Sequence, residues 1–248
     1  MGLLKSLFSS KPNIPYDLSD LKVDMHSHLI PGIDDGSQSM DQTIGMLLRF
    51  VELGYKKVIT TPHIMQDHYP NTPNVILSGL ETVKLEIEKH KIPIEIEAAA
   101  EYYFDEFLLK KIETDKLLTF GDNYVLFEFS FVSEPHNIDQ LIFDFKTHNY
   151  KPVLAHFERY MYFLEDGLAK AENLKDKGVK IQMNLNSLTG HYGKPIQKQA
   201  ELLIDNKLVD FVGTDCHRLE HLDILEKNLK NPYFHKLESL NLLNRHLL

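Results

Sequence analysis

The 248-residue sequence contains no tryptophan and a single cysteine, Cys216. One cysteine excludes an intramolecular disulfide framework and suits a reducing compartment. No apolar run approaches the ~18 residues that span a bilayer. No secretory signal with a small-residue cleavage site opens the chain, so the expectation is a cytoplasmic protein. Basic residues are also scarce, with 27 against 36 acidic ones and a net charge of −9. That balance argues against a nucleic-acid binder, and no basic stripe with a stacking platform supports an exonuclease. Linkers rich in Gly, Pro or Ser, low-complexity tracts and fixed-period repeats are missing too. What is present is the ordinary balance of a globular protein, 43% hydrophobic and 25% charged, together with thirteen histidines. At this length roughly 70–75% of the unfolded surface can be buried, enough for a full core.

Residues 1–20 read as an N-terminal extension and 21–248 as one domain. Leu3, Leu4, Leu7 and Phe8 fall at helical spacing over 1–10, and Lys11–Pro15 then breaks the helix. A helix docked on the domain and a membrane-surface or partner-binding helix both fit this segment, and any membrane contact is confined to it. Gly2 followed by Ser6 also fits a short myristoylation pattern. From residue 21 onward, strands are predicted at 21–25, 57–61, 94–99, 124–129, 152–155, 179–185 and 209–213. Helices are predicted at 40–53, 74–90, 105–111, 138–149, 160–177 and 194–206. Gly54 and Gly178 follow two of these, where helix C-caps commonly fall. Seven strand–helix alternations predict an α/β protein with a parallel sheet, closed at this length into a (β/α) barrel.

Active sites of such barrels gather at the C-terminal strand ends. Those ends carry, in order, Asp24, His26 and His28; His63; Glu101; Glu128; His156; Asn184 and Asn186; then Asp215 and His217. Six of the seven ends offer a metal-capable side chain, and five of the thirteen histidines lie there. Histidines at i and i+2 leaving a strand point to one side, so His26 and His28 can close on one ion, as can Asp215 and His217. Mixed imidazole and carboxylate ligands suit Zn²⁺, Mn²⁺ or Fe²⁺. Between the first two strands, Asp34 and Asp35 stand next to Gly36. One can shape an Asx turn while the other folds over the metals; Asp34 suits the turn and Asp35 the metal, but spacing alone does not separate them. The nine candidates are then His26, His28, Asp35, His63, Glu101, Glu128, His156, Asp215 and His217, a count that fits three ions best. Three divalent ions outweigh the four carboxylates, so the pocket is locally cationic and attracts a phosphate dianion.

These residues resemble the PHP (polymerase and histidinol phosphatase) family. The likeness is greatest to its bacterial manganese-dependent tyrosine phosphatases of capsule and exopolysaccharide synthesis. It is carried by DMHSHLIPGIDDGS at 24–37, TTPH at 60–63, AEYYF at 100–104, LFEFS at 126–130, LAHFERY at 154–160 and GTDCH at 213–217. The resemblance implies a distorted seven-stranded (β/α) barrel and a trinuclear Mn²⁺ centre on the nine positions, with Glu101 as a bridging ligand and Fe²⁺ or Zn²⁺ as alternative metals. It implies that Arg159 reaches the substrate phosphate, for which a planar guanidinium is well shaped. A salt bridge from Arg159 to Glu158 or Asp166 is the other reading of that residue. The Arg-Pro pair that relatives often carry after the last motif is missing, leaving Arg218 or His221 as candidates for a second phosphate contact.

The implied chemistry is hydrolysis of phosphotyrosine, with a metal-bridging hydroxide attacking phosphorus in line and Arg159 stabilising the developing charge. The substrate is a phosphotyrosine protein, with a bacterial tyrosine kinase of polysaccharide export as a candidate partner. Tyr69, Tyr102, Tyr103 and Phe131 follow strand ends and are candidate walls for the substrate ring, although Tyr102 and Tyr103 fit core packing equally well. A cysteine-based tyrosine phosphatase is excluded, because the residue six positions after Cys216 is Leu222 rather than Arg. Ser27 and Ser130 lack a free histidine–acid pair. The alternative is a small-molecule phosphatase of the histidinol-phosphatase type, and beyond the enzymes a non-catalytic scaffold.

Overall fold

The computed structural model describes residues 14–248; the expected helix over 1–10 and the Gly2 pattern lie outside them. Among the described residues nine short strands are interleaved with helices: β1 (Val23–Asp24), β2 (Lys57–Thr60), β3 (His63–Ile64), β4 (Glu95–Ala98), β5 (Glu101–Tyr103), β6 (Tyr124–Glu128), β7 (Lys151–Leu154), β8 (Lys180–Asn184) and β9 (Phe211–Gly213). Every pairing between them is parallel, in the orders β1-β2-β4 and β3-β5-β6-β7-β8-β9. A parallel bridge between Ser27 and Cys216 joins the chain beyond β1 to the chain beyond β9. The result is an α/β fold on a curled parallel sheet.

The helices are α1 (Met40–Glu52), α2 (Pro73–His90), α3 (Glu106–Thr114), α4 (Ile138–Thr147), α5 (Gly167–Asp176), α6 (Lys194–Asp205), α7 (Leu219–Asn228) and α8 (Pro232–Lys236). Their starts follow from capping chemistry. Ser39, Thr72 and Asp105 each accept a backbone N–H of the first turn, and Pro73 opens α2 where its missing N–H costs nothing. In α1 the residues Thr43, Met46, Leu47 and Phe50 make the buried stripe. No helix among the described residues is long and apolar enough to cross a membrane.

Each of the seven expected strands overlaps an observed one, and three features differ. Two expected strand ends run on into short strands: β3 carries His63 and β5 carries Glu101. The breaks before them fall at Thr61–Pro62 and Ala99–Ala100, where Glu101 N donates to Pro62 O. The helix expected over 160–177 begins only at Gly167, after two 3-10 turns at Phe157–Arg159 and Met161–Phe163. In a 3-10 turn residues three apart share a face, so Tyr160 and Phe163 mimic helical spacing. Tyr160 is held in place because its hydroxyl accepts from Phe129 N. The third difference is α7 and α8, which were not expected. Leu222, Leu225 and Leu229 are buried at helical spacing and carried the signal for α7.

The core has two layers. The larger packs helices on the outside of the sheet. The smaller draws Val23, Met25, Ile59, Leu126, Val153, Ala155 and Phe211 from strands around the curl, with Phe120 and Leu247 beside them. Strand alternation feeds both: Val125 and Phe127 join the outer layer while Leu126 joins the inner one. Glu128 stands two residues beyond Leu126, so the inner row leads from apolar packing to an ionisable group. Just before residue 21, Tyr16 and Leu18 are buried, and Tyr16 N donates to Leu229 O.

Candidate metal centre

All nine residues singled out in the sequence converge at one end of the curled sheet. Their potential ligand atoms form four overlapping groups: His28, Asp35, His63 and His217; His26, His28 and Glu101; His26, His156 and Asp215; and His63, Glu101 and Glu128. Two carboxylates hold the groups together. Glu101 lies 2.9 Å from His156, 3.2 Å from both His26 and His63, and 3.5 Å from His28. Asp215 lies 3.4 Å from His26 and His217 and 3.5 Å from His28. Asp35 reaches the Nε2 atoms of His217 and His63 at 3.4 and 3.5 Å, and Glu128 stands 3.3 Å from His63.

The backbone is bent to bring these side chains together. His156 and Asp215 both adopt left-handed conformations, with φ of 35° and 51°, a local strain typical of functional sites. Two glycines permit close approach. A Cβ at Gly36 would lie 2.3 Å from His28 Cβ, and one at Gly213 would lie 2.6 Å from His26 Cβ.

A second ring of residues orients the histidines. His26 Nδ1 donates to Gln182 Oε1 at 3.1 Å, and His28 Nδ1 donates to Asp34 Oδ2 at 2.8 Å. Asp34 therefore shapes the turn, through Gly36 N, and also fixes an imidazole. Asn184 Nδ2 donates to Asp215 Oδ2, and Gln182 Nε2 donates to Asn184 Oδ1. Glu158 is fully buried behind them, accepts from Asn184 N and Ser187 Oγ, and is pushed up by burial to about 7. Sequence reasoning marked Asn184 as a strand-end residue but missed Gln182; alternation along β8 carried that signal. Such outer hydrogen bonds fix the tautomer and direction of a ligating imidazole.

The ionisation pattern follows from this crowding. Burial works against charge on Glu101 and Asp215, but His26 and the other imidazoles override it and hold both well below the carboxylate range. Burial likewise disfavours a charged His63, yet Glu101 and Glu128 raise it to about 9. His28 Nε2, His63 Nδ1 and His156 Nδ1 are buried without a hydrogen-bond partner. Of these, His28 Nε2 and His63 Nδ1 face carboxylates without hydrogen-bond geometry, which fits metal donors, since an unmet buried polar atom is costly.

Arg159 sits at the edge of the centre. Its Nη1 donates to Asp215 Oδ2 at 3.0 Å, so its partner is neither Glu158 nor Asp166. The guanidinium lies between Phe131 and Tyr192, 4.7 and 4.6 Å from the ring centroids. Tyr192 was not anticipated. Tyr69 stacks on His63 at 5.5 Å. Tyr103 stands beside Gln66 and Asp105. Tyr102 is buried, with its hydroxyl accepting from Leu118 N, which places it in the core rather than on a pocket wall. His221 Nδ1 accepts from His217 N, and Arg218 is exposed next to His217. Ser130 Oγ accepts from Val132 N.

Comparison with known proteins matches this arrangement. Tyrosine-protein phosphatase YwqE of Bacillus subtilis (strain 168) is 29% identical over 224 residues, covering 90% of this chain and 84% of that protein. The putative tyrosine-protein phosphatase CapC of Staphylococcus aureus is 26% identical, with 88% and 87% covered. Among solved structures, one from work on YwqE of B. subtilis and CpsB of Streptococcus pneumoniae, described as metal-dependent tyrosine phosphatases, superposes with a TM-score of 0.77 at 26% identity, covering 90% of each chain. A lactonase from Listeria monocytogenes, at 12% identity and a TM-score of 0.51, shares the fold alone. Residues 22–228 match the family described as "Capsular polysaccharide synthesis, CpsB/CapC", and the chain belongs to that family.

Proposed function

We propose that this protein is a metal-dependent protein tyrosine phosphatase that hydrolyses phosphotyrosine. The observation that carries this reading is the convergence of five histidines and four carboxylates, drawn from strand ends throughout the chain, into four overlapping donor groups. Naming of the relatives as tyrosine phosphatases supports it. The His26, His28, Asp35, His63, Glu101, Glu128, His156, Asp215 and His217 side chains would hold three divalent ions, Mn²⁺ with Fe²⁺ or Zn²⁺ as alternatives, and Glu101, close to four histidines, would bridge. Bound there, divalent ions would lower the pKa of water and neutralise charge on the phosphoryl group. Arg159 orients the phosphoryl oxygens with its planar fork, while Phe131 and Tyr192 keep the guanidinium from swinging away. A phenol leaves with a pKa near 10, so the site needs less of a general acid than it would for an alkyl ester.

Read as continuous kinked strands, β2 with β3 and β4 with β5 make seven strands in all, and the Ser27–Cys216 bridge supports closure into a distorted barrel. Residues 21–248 then form one catalytic domain. The family's place in capsule synthesis supports a cytoplasmic phosphoprotein substrate, with a tyrosine kinase of polysaccharide export as candidate. The test is phosphate release from a phosphotyrosine peptide. Chelation should reduce it to background, Mn²⁺ should restore it, and Mg²⁺ should do so poorly because five of nine donors are imidazoles. Full turnover by protein with verified zero metal would overturn the reading, and a preference for small alkyl phosphates would favour the histidinol-phosphatase type.

A further inference from the structure

We infer that a groove beside the metal centre, between α1 and the start of α7, receives the polypeptide flanking the phosphotyrosine and favours a flank bearing lysine or arginine. The inference rests on the tyrosine-phosphatase reading and adds to it the part of the substrate that lies beyond the ring. The groove has a volume of about 570 Å³, and its lining includes Gln42, Gly45, Arg218 and Glu220. Asp35 and His217, both in the donor groups, form its inner wall. The groove therefore adjoins the donor groups directly, through two residues that belong to both.

Gly45 is the most informative lining residue. It lies inside α1 with an ordinary helical backbone, because it is not among the residues of positive φ. A Cβ added there would meet nothing within 4 Å. Neither backbone conformation nor packing asks for glycine, and glycine in a helix interior is unfavourable relative to alanine. The open space above Gly45 is the floor of the groove. Charge gives the second half of the inference. Asp41 and Glu220 are exposed on the lining, and neither forms an ion pair among the described residues. Among the described residues that line the groove, Arg218 is the single Lys or Arg, so carboxylates predominate. Two unpaired carboxylates facing a peptide discriminate by attracting basic side chains and repelling acidic ones.

The experiment compares Gly45→Phe with wild type, both loaded with Mn²⁺, on 4-nitrophenyl phosphate and on phosphotyrosine peptides with either lysine or glutamate flanks. The aromatic side chain should block the groove and lower kcat/KM on the lysine-flanked peptide by about tenfold or more, equivalent to about 1.4 kcal/mol. Turnover of 4-nitrophenyl phosphate, which has no flank, should be unchanged. Wild type should prefer the lysine-flanked peptide, and Glu220→Lys should weaken or reverse that preference without altering 4-nitrophenyl phosphate turnover. Should Gly45→Phe not fold, this charge exchange decides the matter alone. Unchanged peptide kinetics in both variants would overturn the groove, as would equal losses on peptide and small substrate. A wild type inactive on 4-nitrophenyl phosphate would instead defeat the phosphatase reading itself.

Discussion

The two ends of the curled sheet are built from the same strands and face opposite demands. Toward the strand starts, Val23, Ile59, Val153 and Phe211 pack together with almost no exposure. Even the lysine there is satisfied: buried Lys57 donates to Leu247 O at 2.9 Å and pairs with Glu97 at 2.8 Å. At the strand ends most of the side chains are buried too, with Asp35 exposed and His63 and His217 partly so, but three imidazole nitrogens have no hydrogen-bond partner. Apolar atoms are completed by contact with one another, whereas clustered donors of one kind are completed only by something they bind. Stability should therefore reside mainly at the first end and chemistry at the second. Single substitutions can separate the two.

The largest expected effect comes from the apolar end. Phe211 is fully buried and meets Phe120 and Tyr124 edge-on, with centroids 5.6 and 5.1 Å away. Phe211→Ala should cost about 3–5 kcal/mol, the usual price of truncating a buried aromatic. Denaturant unfolding at saturating Mn²⁺ measures it. Turnover per folded molecule should stay within roughly twofold of wild type, since no group that meets substrate is removed. A fall in kcat matching the loss of stability would break the division between the ends.

Next is Arg159, where the expectation reverses. Arg159→Ala should lower kcat on a phosphotyrosine peptide by roughly 10²–10³, about 3–4 kcal/mol of transition-state stabilisation, while the unfolding midpoint barely moves. Arg159→Lys should recover only part, because a point charge replaces a two-pronged donor. Its bond to Asp215 gives a second readout in metal content. Metal content equal to that of wild type places the effect on the phosphate, whereas lost metal would assign Arg159 to holding Asp215.

How much of this could be read from the sequence divides along the same line. The convergence of the nine candidate donors was legible because Asp, Glu and His at successive strand ends have few other reasons to recur there. The seven main strands were legible from β-rich runs, since a buried parallel strand is apolar on both faces. What escaped was set by tertiary contact. Tyr160 and Phe163 show helical spacing, yet Tyr160 is extended between two 3-10 turns, its hydroxyl accepting from Phe129 N, and the helix starts only at Gly167. For Tyr102 a pocket wall and core packing fit the sequence equally well, and alternation decides for the core by turning it outward onto Leu118. Gln182, which acts through His26, was marked only by its alternation with Asn184 along β8, and Tyr192 acts through Arg159, a partner elsewhere in the chain that leaves no local pattern.

Cys216 is the sharpest test of the comparison because its sequence position and its surroundings disagree. It stands between Asp215 and His217, at the polar end, and a nucleophilic thiol there would be an obvious reading. The structure turns its side chain away: Sγ is buried 3.6 Å from Met46 Sδ and 3.4 Å from Arg218 O, within the outer apolar layer. Burial raises the thiol well above its ordinary value, so no thiolate is available near neutral pH. Cys216→Ser should then keep most activity, with metal content unchanged. The new hydroxyl can donate to Arg218 O as the thiol does, which limits the stability cost to about 1 kcal/mol. Steady-state kinetics and denaturant unfolding on the same preparation check both statements. A loss of about a thousandfold or more in kcat with metals still bound would mean that Cys216 takes part in the chemistry, and the boundary between the two ends would have to be redrawn through this residue.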